Sequence, residues 1–120
     1  MQAFLFVFLG GGLGSICRYG IARLLQTQQL DFPLATFIAN ALACIVLGAL
    51  VGISLKGDMS STNKLLWMTG FCGGFSTFST FSSETFQLLQ AGNYGYALAN
   101  IGLSIVVCLF CIFIGLKLVG

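Results

Sequence analysis

The chain contains no histidine, and only eight of its 120 residues carry charge, five Lys or Arg against three Asp or Glu. The first absence removes the commonest general base and metal ligand. The second removes a solvated surface: soluble domains carry about 25% charged residues, and here the share is 7%. So few charges do not cover a soluble globule of this size, so the solvent is lipid. The net charge is +2, with no basic run or arm to grip phosphates, and this argues against a nucleic-acid partner. A disulfide framework is missing too. The five cysteines (Cys17, Cys44, Cys72, Cys108 and Cys111) are odd in number and scattered through apolar segments. Cys108 and Cys111 form a C-x-x-C, but Leu109 and Phe110 between them and the lack of a βαβ context make packing the better reading than redox chemistry.

What is present is hydrophobic length. A bilayer core of about 30 Å takes roughly 20 apolar residues in a helix, and four segments qualify. They predict an all-α membrane protein, one transmembrane domain over residues 1–120, with helices at about 3–25, 32–55, 65–90 and 95–118. Short connections fall near 26–31, 56–64 and 90–95. Helices satisfy their own backbone hydrogen bonds in lipid, and the weak alternation of barrel strands is not seen. The short apolar start at 3–9 lacks a basic region and a clear cleavage site, so it reads as the first helix rather than a signal peptide.

Orientation is nearly unspecified. Lys56, Lys64 and Lys117 fall on one side and Arg18 and Arg23 on the other, which leaves almost no positive-inside bias. A chain so balanced can insert both ways, and two copies can then pair antiparallel. Four helices enclose little room for a polar pathway, which also favours a dimer. Close helix contact is written in as small-xxx-small pairs: Gly10/Gly14, Gly11/Ser15, Gly48/Gly52 and Gly70/Gly74. The Gly10–Gly14 cluster lacks the third glycine of a dinucleotide loop and has no preceding strand, so helix packing explains it.

One uncharged run stands apart: Gly70-Phe71-Cys72-Gly73-Gly74-Phe75-Ser76-Thr77-Phe78-Ser79-Thr80-Phe81-Ser82. It combines a glycine pair, five hydroxyls and a phenylalanine every third residue, none of which a plain span requires. On a continuous helix Phe75, Phe78 and Phe81 share one face and Ser76, Ser79 and Ser82 the next. The bland reading is a phenylalanine ridge, with hydroxyls bonded back to their own helix. The sharper one is a break at Gly73-Gly74 whose freed carbonyls are cation ligands, tolerated only where they are buried in protein or line a cavity.

Four further residues lie near membrane depth. Asn40, midway along the second helix, carries an amide that needs a partner there. Its NH₂ offers two donors without charge, which suits a small anion, although an interhelical hydrogen bond would also explain it. Ser104 is a lone hydroxyl in the fourth helix. Arg18 and Glu84 are the charges nearest the apolar zone, and a salt bridge or interface position is their default. Arg18 also fits a vestibule that draws anions, and Glu84 a pore mouth or proton handling.

At these residues the sequence resembles the Fluc family (also called CrcB), small dual-topology fluoride channels. The resemblance covers the whole chain: the Gly10-Gly11-Gly12-Leu13-Gly14 opening with Arg18-Tyr19, the Asn40 helix, and above all the run from Gly70 to Ser82. It implies an antiparallel homodimer with two pores in the cell inner membrane, passing fluoride passively down its gradient. It assigns the fluoride pathway to Asn40, Phe78, Phe81, Ser79, Thr80, Ser82 and Ser104. It also implies a structural sodium ion (Na⁺) at the dimer centre, held by backbone carbonyls of Gly73 and Ser76 in each subunit. This chain has Ser76 where threonine is common, which a carbonyl ligand would tolerate. The physics is compatible. Fluoride is small and strongly hydrated, so closely spaced donors must replace its water. The edge of a phenylalanine ring is the positive end of a quadrupole and can help to do so. Release requires that no contact be too strong.

Rival readings fit less well. A proton-coupled exporter of the small multidrug-resistance type shares the size, helix count and balanced charge. It needs a titratable carboxylate at the substrate site, and the first helix has none. A non-transporting assembly or structural subunit predicts instead that replacing Asn40 or Phe78 affects stability alone. An enzyme is weaker still, for want of a nucleophile–base pair.

Overall fold

A computed structural model describes residues 1–25 and 32–120. The connection expected at 26–31 lies outside the described residues. The regular structure of the described residues is all helical, with α1 at Gln2–Leu24, α2 at Leu34–Leu55 and α6 at Tyr94–Val119. These three helices are long and apolar enough to cross a membrane. The third pass is composite. Ser60 opens it as an N-cap, its Oγ accepting the Asn63 N–H at 3.2 Å, and α3 covers Ser61–Asn63. A π-helix over Lys64–Cys72 follows, then α4 at Gly73–Phe75 and α5 at Phe78–Gln90. Nine residues of π-helix is long for a form that usually appears as a single-turn bulge.

The passes pair as α2 on α6 and α1 on the first half of the third pass. Both contacts are built on glycines, because lipid supplies no hydrophobic drive between helices and close backbone packing must hold them. Gly10 and Gly14 of α1 lie against the backbones of Leu66, Phe71 and Phe75. Gly70 and Gly74 lie in turn against Gly10 and Gly11. Gly48 of α2 meets the Ile112 backbone, and Gly115 of α6 meets Ile45 and Ala49. The buried core between the pairs is Ala39, Ala43 and Phe75, flanked by Ile21 and Phe71. The longest dimension, 47 Å, matches a bilayer with its headgroup layers, about 40–45 Å.

Two glycines do need a left-handed backbone. Gly57, with φ 78°, ends α2, and Gly92, with φ 81°, ends α5. In each case the next residue donates back into the last turn: Asp58 N–H to the Ile53 carbonyl at 3.3 Å, and Asn93 N–H to the Leu88 carbonyl at 2.8 Å.

The glycine pair in the third pass is not where the helix breaks. Gly73 is helical, and the extended residues are Ser76 (φ −90°, ψ 154°) and Thr77 (φ −151°, ψ 122°). Gly74 serves instead to admit the backbone of Gly11. The later break also splits the phenylalanine row. Phe75, before it, is buried in the core, whereas Phe78, after it, is 78% exposed. The single face expected for Phe75, Phe78 and Phe81 assumed a continuous helix, and the extended pair removes it.

Candidate functional site

The site grows out of the break. In a continuous helix the Thr77 N–H would bond to the Gly73 carbonyl. Here it donates to Asn40 Oδ1 at 2.9 Å. Thr77 then caps α5, its Oγ1 accepting the Thr80 N–H at 3.3 Å. One carbonyl freed by the break, that of Gly74, accepts from Arg18 Nε at 3.3 Å. The Gly73 carbonyl loses its helical Thr77 donor and the Ser76 carbonyl its Thr80 donor, with Gly73 exposed and Ser76 half-buried. The Ser76 hydroxyl is occupied separately, donating to the Cys72 carbonyl at 2.9 Å.

Around Asn40 lies a groove of about 260 Å³ lined by Asn40, Ser76, Thr77, Phe78, Phe81 and Ser104, with Cys44, Ile105 and Cys108 as its apolar wall. Asn40 lines this space with its Oδ1 held by the Thr77 amide. The Phe78 and Phe81 rings stand with centroids 5.6 Å apart and planes at 36°. No charged side chain lines the groove among the described residues. A second groove of about 160 Å³ runs along the other side of the break, past Cys44, Met68, Cys72, Gly73 and Ser76.

The structure thus brings together Asn40, Phe78, Phe81 and Ser104 from three passes, with Ser76 at the edge. The other hydroxyls are used differently. Ser79 Oγ lies 3.1 Å and Thr80 Oγ1 3.4 Å from Thr77 Oγ1, so both cluster on the cap of α5. Ser82 faces an adjoining groove of about 420 Å³ with Thr85, Phe86 and Ile101, sharing Phe78 and Phe81 as its boundary. Arg18 is half-buried and tied to the break. Glu84 lies a turn beyond, beside buried Thr36, with Oε1 buried and without a hydrogen-bond partner.

Three polar residues escaped the sequence reading. Thr77 is the hinge on which Asn40 and α5 meet. Asn100 and Thr85 form a buried chain behind the groove: Ser104 Oγ donates to Asn100 Oδ1 at 3.2 Å, and Asn100 Nδ2 donates to Thr85 Oγ1 at 2.8 Å. The signal for Asn100 was available, since an amide inside an apolar helix is as costly there as at Asn40.

Comparison with known proteins follows the same lines. The family model described as "CrcB-like protein, Camphor Resistance (CrcB)" matches residues 5–116. The "Fluoride-specific ion channel FluC" of Pyrococcus horikoshii is 46% identical over 110 residues, 91% of this chain and 89% of the relative. The protein of the same name from Azobacteroides pseudotrichonymphae is 50% identical over 101 residues, 79% of this chain and 81% of its own. That of Thermus thermophilus is 41% identical over 121 residues, covering 100% and 97%.

Proposed function

The chain belongs to the CrcB-like family, and from that premise we propose that it is a fluoride channel conducting passively down the ion's electrochemical gradient. It is a multi-pass integral membrane protein of a non-enzymatic transporter family. The observation that carries the reading is the division of labour within Asn40. Its Oδ1 accepts from the Thr77 amide, which leaves the NH₂ as the donor it has to offer in the groove it lines. A neutral donor beside two phenylalanine rings offers an anion partners and gives a cation few.

Each residue then has a physical task. Asn40 Nδ2 and the Ser104 hydroxyl replace part of fluoride's hydration. The edges of Phe78 and Phe81 contribute the positive rim of their quadrupoles. The absence of a cationic side chain on the groove keeps the ion from being trapped, as conduction requires. Ser79, Thr80 and Ser82 lie on the same half-helix and extend the hydroxyl path beyond the rings. Arg18 and the lone Glu84 carboxylate oxygen flank this path at the break and one turn past α5's first residues.

A single chain does not wall the path. Phe78 is 78% exposed and Gly73 is exposed beside it in the third pass, which supports a second copy as the missing wall. The near balance of Lys and Arg across the membrane supports an antiparallel, dual-topology homodimer. The carbonyls of Gly73 and Ser76, freed from helical partners, fit a hard monovalent cation, and a structural sodium ion at the dimer centre would take them as ligands. When bound, it would supply positive charge that ties the broken segment to its partner's copy.

Purified protein reconstituted in liposomes tests the function directly. Fluoride should leave down its gradient while chloride is nearly retained. Robust chloride flux, or proton-coupled movement of organic cations, would overturn the reading.

A further inference from the structure

Asn100 has no part in the reading above, yet it is the largest fully buried side chain among the described residues, 2% exposed within α6. It joins two hydroxyls. Ser104 donates to its Oδ1 at 3.2 Å, its Nδ2 donates to Thr85 Oγ1 at 2.8 Å, and Thr85 donates to the Phe81 carbonyl at 2.8 Å. Of the four, Ser104 and Phe81 also line the groove beside Asn40.

The direction of this chain matters. While Ser104 donates inward to Asn100, it shows only oxygen lone pairs to the groove, and those repel an anion. The nitrogen and oxygen of a side-chain amide occupy nearly interchangeable positions. Turned by half a rotation, Asn100 places its NH₂ against Ser104 and its oxygen against Thr85, the two atoms simply exchanging places. Thr85 then donates to Asn100, and the Phe81 carbonyl keeps its helical N–H partner in α5. The Ser104 proton is released toward the groove. Both directions satisfy Asn100; they differ only in whether the final acceptor is a backbone carbonyl or a bound anion.

We propose that Asn100 is a positioning residue that converts Ser104 from hydrogen-bond acceptor to donor as an anion enters the groove. The inference rests on the fluoride-channel reading. An anion binds one direction of the chain and is repelled by the other, so it draws the population toward the donor form. Without the amide behind it, the Ser104 hydroxyl turns back to a carbonyl of its own helix.

The test is a double-mutant cycle in fluoride-loaded liposomes, using wild type, Asn100→Leu, Ser104→Ala and the double variant at matched content of folded protein. Each single variant should slow fluoride efflux about threefold to tenfold, the range of one net hydrogen bond. The double variant should be no slower than Ser104→Ala alone, because Asn100 acts only through that hydroxyl. Losses that multiply, or an Asn100→Leu channel as fast as wild type, would assign Asn100 to packing and overturn the proposal. Should Asn100→Leu fail to fold, Thr85→Val keeps the side-chain shape and is read in the same cycle with the same expectation. Wild type that passes no fluoride overturns the proposed function and this inference with it, whereas conducting wild type with multiplying losses overturns the inference alone.

Discussion

The Thr77 backbone N–H donates to Asn40 Oδ1 across 2.9 Å, so a side chain of the second pass completes the backbone of the third. This one bond stabilises the break and fixes which end of the amide is taken by the backbone. Structure and proposed conduction therefore share a residue, and they can be separated only by substitutions that keep the acceptor while changing the donor.

Asn40→Asp is such a substitution. The carboxylate still accepts from Thr77, so the break should survive, but the two donors toward the groove become a negative charge. Fluoride efflux from liposomes should fall by tenfold or more, the scale of losing a hydrogen bond to a charged partner, about 1.5–3 kcal/mol. Elution of the folded protein on size exclusion should be unchanged. Undiminished flux would remove Asn40 from the pathway.

Phe78→Ile keeps an apolar side chain but removes the ring edge. Because Phe78 is 78% exposed in the single chain, folding of the subunit does not depend on it. Efflux should drop by about tenfold, from loss of aromatic contacts each worth about 0.5–1.5 kcal/mol, while yield and thermal stability in detergent stay near wild type. Equal flux from the two proteins would leave the aromatic edges without a role.

The four passes, the glycine contacts and the importance of the run from Gly70 to Ser82 were legible in the sequence. They depend on hydropathy and residue size, which one chain states directly. The position of the break was not. Glycine is the usual suspect for a disrupted helix, but Gly73 is helical and Gly74 is spent on admitting Gly11. The extended pair at Ser76 and Thr77 is held by Asn40, a residue 37 positions away in the chain, and no local propensity encodes that partner. The contacts of Ser79 and Thr80 with Thr77 were hidden for a similar reason: a hydroxyl run does not say which of its members also cluster on a helix cap.

Gly14→Ala should separate packing from conduction. A Cβ at Gly14 would lie 2.7 Å from the Phe75 nitrogen and 3.1 Å from the Gly74 carbonyl carbon, with the Phe71 carbonyl oxygen closer still. Backbone cannot step aside as a side chain can, so α1 must move away from the third pass. Overpacking of this kind destabilises by about 1–3 kcal/mol. Gly102→Ala, where a Cβ meets nothing within 4 Å, should be neutral or slightly stabilising. Thermal unfolding in detergent, followed by size exclusion, distinguishes the two.

The proposed sodium site makes a prediction that depends on which atoms of Ser76 are used. Its hydroxyl already donates to the Cys72 carbonyl at 2.9 Å, so the proposed ligand is the main-chain oxygen. Ser76→Ala and Ser76→Thr should both keep fluoride efflux within about threefold of wild type, since the hydroxyl bonds back to its own helix and neither change removes the main-chain oxygen. Replacing sodium throughout purification and assay with a bulky organic cation should abolish efflux in all three proteins, because that cation cannot enter a carbonyl cage. Restoring sodium should bring efflux back over the time the buried site takes to refill. If Ser76→Ala alone lost sodium-dependent flux, the hydroxyl would be the ligand. If efflux ignored sodium altogether, the freed carbonyls of Gly73 and Ser76 would serve the break without a metal.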